Sequence, residues 1–203
     1  MSVGPSRLVV GLGNPGAEYA GNRHNVGFRS VDRVAERHRL RFNAKRARSV
    51  VARGQLASQD VALAKPQTYM NLSGRAVKEL LVGWGIPPHS LLVVYDDVDL
   101  PPGSLRMRER GGPGTHNGMR SIVDSLGTTD FPRLRIGIGP PPPMRDLADY
   151  VLDDPTPDER SLIEEALARA VEAIELFIRT GPAAAMNRYN QEPKAASLGS
   201  EAE

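Results

Sequence analysis

The 203-residue sequence contains no cysteine, which removes disulfides, thiolate metal sites and cysteine nucleophiles together. Any chemistry must use oxygen, nitrogen or an added cofactor. No window approaches the roughly 18 to 20 apolar residues that a membrane span needs, and the opening MSVGPSRLVV lacks the apolar stretch of a secretory signal. The expectation is a soluble, cytoplasmic protein with no membrane partner. Internal repeats and linker-like stretches are also missing, so one compact domain is the default, and 40% apolar residues suffice for its core.

Charge is present but unevenly spread. Residues 1–152 hold 21 Lys/Arg against 13 Asp/Glu, while residues 153–203 hold 5 against 11. A basic body of this kind suits a polyanion, with a merely solvated surface as the competing explanation.

Apolar periodicity places a buried strand in RLVVGLGN and a helix in VGFRSVDRVAERHRL, with Phe28, Val31, Val34 and Ala35 on one face. RSVVARGQLASQDVALAKP reads as two strands joined by a turn, and Ser73 as the N-cap of a helix over GRAVKELLVGWG, ended by Gly83 and Gly85. LLVVY is a strand covered on both faces, followed by DDVDLPPG as loop. SLRMRER alternates like a strand, MRSIVDSLG is a short helix stopped by Gly127, LRIGIG is a further strand, and Pro140 to Pro143 form a stiff connector. Thr156, Pro157 and Glu159 form a capping box for a long helix ending at Gly181 and Pro182, its acidic outer face read as solvated. From about Gln191 the chain has little to bury, so residues 191–203 are expected to be a disordered tail. Strands alternating with helices indicate an α/β layer architecture, and the hairpin-like segments call for a mixed sheet.

Gly11, Gly13 and Gly16 in VVGLGNPG spell G-x-G-x-x-G. A dinucleotide fold needs the third glycine to open a helix whose N-terminus holds the pyrophosphate. Gly16 leads instead into the polar AEYAGNRHNVG, so nicotinamide binding is rejected even though Asp32 lies near a ribose-binding position.

A tight turn explains the glycines but not Asn14 and His24. Four loops, each after an expected strand, carry unusual polar groups: GNPG with NRHNVG, KPQTYMNLSG, YDDVDLPPG and GTHNGM. Brought to one sheet edge, they would unite His24, Asp96, Asn14, Asn71 and Asn117. An imidazole can take a proton from water near neutral pH, a carboxylate can fix its tautomer, and amides can donate to an acyl oxygen. Such a set can hydrolyse an acyl bond without metal or covalent intermediate. Asp96, Asp97 and Asp99 could alternatively hold magnesium. His38 and His89 are read as surface residues, and His116 as either orienting its loop or structural. Tyr69 and Met70 are candidates for an apolar slot, with core packing as the alternative for Met70.

Five colinear motifs, VVGLGNPGAEYAGNRHNVGF, KPQTYMNLSG, YDDVDLPPGSLRMR, GTHNGMRSI and FPRLRIGIG, resemble the bacterial peptidyl-tRNA hydrolase family from about Leu8 to Asn190. The resemblance implies a single-domain α/β fold over residues 1–190, a twisted mixed β-sheet surrounded by α-helices, acting as a monomer without cofactor or metal. The implied reaction cleaves the ester between peptide and tRNA, recycling tRNA from peptidyl-tRNA that has dropped off, with the stalled large ribosomal subunit as a further partner. It implies His24 as catalytic base, Asp96 as its partner and Asn14 as the group that tells blocked from unblocked aminoacyl-tRNA. Tyr19, Tyr69, Asn71 and Asn117 match positions contacting the tRNA end or the peptide, Met70 an apolar position beside them, and Arg108 and Arg135 basic positions near tRNA phosphate. Tyr69 stands where the family often has phenylalanine, and Thr115 where many members have glycine. The proline run departs from the usual linker, so no basic contact is carried to Arg145. A pure RNA-binding factor and a magnesium-dependent phosphoesterase are the other two classes.

Binding carried by phosphate contacts, with Arg106, Arg108, Arg110, Arg133 and Arg135 as candidates, predicts that tRNA affinity falls steeply with salt. A salt titration of tRNA binding should give a log-log slope of about −0.7 to −0.9 per phosphate neutralised.

Overall fold

The structure is a computed structural model that describes residues 4–191; the rest of the expected tail lies outside the described residues. In chain order the elements are β1 (Arg7–Gly11), α1 (Val26–Arg37), β2 (Ala44–Arg46), β3 (Ser49–Leu56), β4 (Gln59–Pro66), α2 (Ser73–Trp84), β5 (Leu91–Asp97), β6 (Leu105–Arg108), α3 (Asn117–Leu126), β7 (Arg133–Gly137), α4 (Leu147–Leu152), α5 (Pro157–Thr180) and α6 (Pro182–Tyr189). The strands form one mixed sheet in the order β2-β3-β4-β1-β5-β7-β6. Its four central strands, β4, β1, β5 and β7, run parallel; β3 on one side and β6 on the other run against them, and the edge strand β2, antiparallel to β3, returns to the central direction.

Alternation along each strand splits the core between the two faces. Val9, Leu63, Leu134 and Ile136 meet Val31 and Val34 of α1 and Ile163, Leu167, Ile174 and Phe177 of α5. Leu8, Val10, Ala62 and Val93 meet Val77 and Leu80 of α2 and Met119 and Ile122 of α3. The chain leaves β1 through α1 on one face, reaches β4 by way of the hairpins, and crosses on the other face through α2 to β5. This reversal of strand order around β1 makes a topological switch point, and ligands of open α/β sheets bind outside the strand ends there.

Several local expectations change. Ser73 does not cap α2; a 3₁₀ turn at Met70–Leu72 runs straight into the helix, and Ser121 Oγ of α3 accepts the Gly74 N–H at 3.0 Å instead. Asp96 and Asp97 belong to β5 rather than to the loop. β2, α4 and α6 are additions: α6 exists because Gly181, at φ 88°, breaks α5 and Pro182 starts a new helix at its first position. The acidic face of α5 is not simply solvated. Glu164 pairs with Arg29 and Arg33 of α1, and Glu175 with Arg37 and His38, so acids of the second half offset part of the basic charge of α1.

Close packing of α1 depends on Gly27. A Cβ there would run into the Val94 carbonyl and the backbone of Leu12, atoms that cannot swing aside. Gly27→Ala is expected to lower stability by about 1 to 3 kcal/mol, the usual cost of overpacking, as a reduced midpoint in urea unfolding.

Candidate active site

Parallel strands end on the same edge, so the segments after β1, β4 and β5 meet there. At the centre is Asp96, 2% exposed, the penultimate residue of β5. Its carboxylate receives Nδ1 of His24 at 2.9 Å to both oxygens and Nε2 of His116 at 3.0 Å. His116 is the N-cap of α3, and its Nδ1 accepts the Met119 N–H at 3.2 Å. That acceptor role leaves the neutral ring its proton on Nε2, donated to Asp96. His24 donates its Nδ1 proton to the same carboxylate, which leaves the His24 Nε2 lone pair unused. Burial alone would raise the Asp96 carboxyl; the two imidazoles outweigh it and hold it well below the usual carboxylate range. Burial would likewise lower His24, and the Asp96 charge and hydrogen bond outweigh that and raise it above 6.5.

Neighbours of His24 in sequence hold it in place. Arg23, also buried, donates to the carbonyls of Tyr150 and Asp153 at 3.2 Å, pairs with Glu159 at 2.6 Å and lies over the Tyr150 ring. On the other side, Asn25 accepts the Asn14 N–H at 2.8 Å and returns a bond from Nδ2 to the Asn14 carbonyl at 3.0 Å. Asn14 Oδ1 in turn accepts the Met70 N–H at 2.9 Å, which orients the amide and leaves Nδ2 as a free donor. Met70 is buried beneath the start of α3, where a Cβ on Gly118 would meet both its sulfur and the His116 ring. His24, Asp96, His116, Asn25, Asn14 and Met70 therefore form one interlocked set.

A cleft of about 560 Å³ opens over the His24, Asp96 and His116 part of this set, lined also by Tyr95, Arg108, Arg110, Asn117 and Arg135. The GTHNGM loop arrives by a different route than expected. β6 is antiparallel, so its far end points to the opposite edge, and the glycine-rich stretch from Glu109 to His116 carries the chain back. Asn117 becomes the first residue of α3. Asn14 lines a neighbouring depression of about 270 Å³ rather than the main cleft. Asn71 and Asn117 are exposed and Tyr19 half-buried. No apolar slot is built from Tyr69 and Met70, because Met70 is core and Tyr69 is 67% exposed.

Cross-strand register puts Arg106 opposite Arg135 and Arg108 opposite Arg133, four cations on one sheet face. Arg133 is nevertheless not a phosphate contact: it is buried, and its guanidinium donates to the carbonyls of Gly111, Gly112, Thr129 and Phe131. Arg135 pairs with Asp97.

The magnesium alternative is overturned by these partners. All three line the main cleft, but Asp96 faces two imidazoles while Asp97 holds Arg135 and accepts the Asp99 N–H at 2.9 Å, so the three carboxylates form no metal-like cluster among the described residues. Among the described residues, the one group with metal-like spacing is His24, Asp96 and His116, whose ligand atoms lie within 4.8 Å. Ligation by His116 Nε2 would put the ring proton on Nδ1, against the Met119 N–H it now accepts.

The peptidyl-tRNA hydrolase family profile matches residues 8–197. The chain belongs to the peptidyl-tRNA hydrolase family. A family member from Chloroflexus aggregans is 60% identical over 184 residues, covering 90% of this chain and 98% of that protein. One from Koribacter versatilis is 45% identical over 196 residues, 96% of this chain and 98% of that one. The crystal structure of peptidyl-tRNA hydrolase from Acinetobacter baumannii superposes with a TM-score of 0.87 at 36% identity, covering 94% of this chain and 97% of that one. A complex of peptidyl-tRNA hydrolase with N-propanol gives 0.89 at 36% identity, over 96% and 100% of the two chains. The family fold expected from the motifs is the fold observed.

Reading the sequence missed Arg23 and Asn25 as positioning residues; their signal was four consecutive polar residues, Asn22 to Asn25, directly before an apolar helix.

The raised His24 value has a testable sign. Its pairing adds stability below the unfolded value of about 6.5, and that stability fades as pH rises through the folded pKa. Asp96, held low, adds stability above about pH 4 that is lost as pH falls toward its folded pKa. In an NMR titration His24 should have a midpoint above 6.5, and in Asp96→Asn, where burial alone acts, a midpoint below it.

Proposed function

We propose that this chain hydrolyses the ester joining the peptide to the terminal ribose of peptidyl-tRNA, with His24 as general base. The observation that carries this reading is the His24 to Asp96 contact, which spends Nδ1 on the carboxylate and leaves Nε2 basic in the cleft. Nε2 takes a proton from water, the hydroxide adds to the ester carbonyl, and the amide of Asn117 donates to the developing oxyanion. The tetrahedral adduct then expels the ribose oxygen, which takes the proton back from His24. Asp96 stabilises the imidazolium between the two steps. His116 is a positioning residue that holds Asp96.

Asn14 supplies selectivity for blocked substrates. With Oδ1 engaged by Met70, its Nδ2 meets the carbonyl of a peptide bond or formyl group, an acceptor that a free α-ammonium does not offer. The tRNA lies along Arg106, Arg108 and Arg110, with Arg135 beside Asp97 at the inner end, and Tyr19, Tyr69 and Asn71 border the acceptor end or peptide. The protein acts as a cytoplasmic monomer on peptidyl-tRNA released from, or held on, the large ribosomal subunit, without metal.

Incubation with N-acetyl-aminoacyl-tRNA should release free tRNA equally with and without EDTA. His24→Ala should lose about 10²- to 10⁴-fold in kcat, the usual contribution of general-base catalysis, while retaining tRNA affinity. Near wild-type turnover would remove His24 from this role. Asn14→Asp keeps an acceptor for Met70 but loses the donor, so the ratio of kcat/KM for blocked over unblocked aminoacyl-tRNA should fall.

A further inference from the structure

The catalytic imidazole sits between two hollows. Toward β7 and β6 lies the main cleft with its arginines. Toward β4 and β3 lies the depression beside Asn14, bounded by Lys65, Val50 and Gln67. Val50 and Gln67 are also walls of a further hollow of about 380 Å³ at the β2–β3 turn, whose charged lining is Lys45, Arg46 and Arg48. The two depressions therefore adjoin across Val50 and Gln67. The turn belongs to the active-site edge, since Ser49 at the start of β3 pairs with Pro66 at the end of β4. It is tied to the loop carrying Met70 by the Gln67 N–H, which donates to the Arg48 carbonyl at 2.7 Å.

We propose that the hollow at the β2–β3 turn is a subsite for acidic side chains of the peptide, three to four residues from the ester; this rests on the esterase reading above. The two halves of the substrate leave the ester carbonyl in opposite directions. Arginines on β6 take the tRNA half, so the peptide half runs past Asn14 toward β3. Strands lie about 4.8 Å apart and an extended chain advances about 3.3 Å per residue. Two to three strand spacings from β1 to the turn thus correspond to about three or four residues. Charge selects the side chain that binds. Among the described residues neither Lys45 nor Arg46 pairs with a carboxylate: Arg46 lies over the Trp84 ring and donates to the Gly83 carbonyl at 3.1 Å. Arg48 has only Glu79, at 3.4 Å, which Arg75 shares. Three cations against one shared carboxylate leave the turn with excess positive charge, beyond a depression in which Asp32 is paired with Lys65.

The test uses the full chain and N-acetyl-pentapeptidyl-tRNAs of alanine carrying either Glu or Lys at the third and fourth residues from the ester. A one-residue N-acetyl-aminoacyl-tRNA, too short to reach the turn, serves as reference. Wild type should favour the Glu substrate in kcat/KM by about 2- to 10-fold, the range of one or two exposed ion pairs. Lys45→Glu/Arg48→Glu should reverse that order and leave the one-residue substrate unchanged. Equal rates for Glu and Lys substrates in wild type would overturn the subsite. A KM raised for every substrate, the one-residue reference included, with a shallower salt dependence, would overturn it by assigning the hollow to tRNA phosphate. If wild type released no tRNA even from the reference, the esterase reading itself would fall, and the subsite with it.

Discussion

A carboxylate buried at the end of a central strand is the constraint around which this protein is arranged. An isolated ionised Asp96 would be too costly to keep in that position. Two imidazole N–H groups make it tenable, and each comes from a different face of the sheet. His24 arrives just before α1, and His116 as the cap of α3. The carboxylate therefore joins the two helical layers at the strand edge, and the proposed chemistry is placed at the same joint. One imidazole is fixed by a backbone N–H; the other keeps an uncommitted nitrogen, the one to which the proposed function assigns the role of base.

That joint tolerates little displacement. Gly27 lets α1 lie directly on β1 and β5, which fixes the height of His24 against Asp96. Arg23 ties the His24 turn to α4 and α5, while Asn25 ties it to Asn14 and so to the β4 loop. Gly118 allows Met70 to fit beneath His116. Backbone and side-chain contacts around the base are mutually dependent, and this preorganisation separates a proton acceptor in a cleft from a surface histidine.

Much of this was legible in the sequence, for physical reasons that differ by element. β1, β4 and β5 are continuous apolar runs because they are covered on both faces, and α5 announces itself by a capping box that the structure contains. His24, Asp96 and the asparagines stood out as polar residues just past apolar strands. What was not legible depends on partners distant in sequence. The direction of β6, hence the detour of its following loop, follows only from its pairing with β7. Arg133 has the composition of an RNA contact and the environment of a core brace. The ion pairs between α1 and α5 offset part of the apparent charge segregation, and β6 and the β2–β3 turn are basic surfaces flanking the site.

The central claim is an assignment of protons: above its pKa, His24 carries hydrogen on Nδ1 and His116 on Nε2, both directed at Asp96. Nitrogen-15 NMR of imidazole-labelled protein, with long-range couplings distinguishing the two tautomers, measures this directly. The account predicts opposite tautomers in the two rings. A His24 found with its hydrogen on Nε2 would leave no basic nitrogen for water and would contradict it.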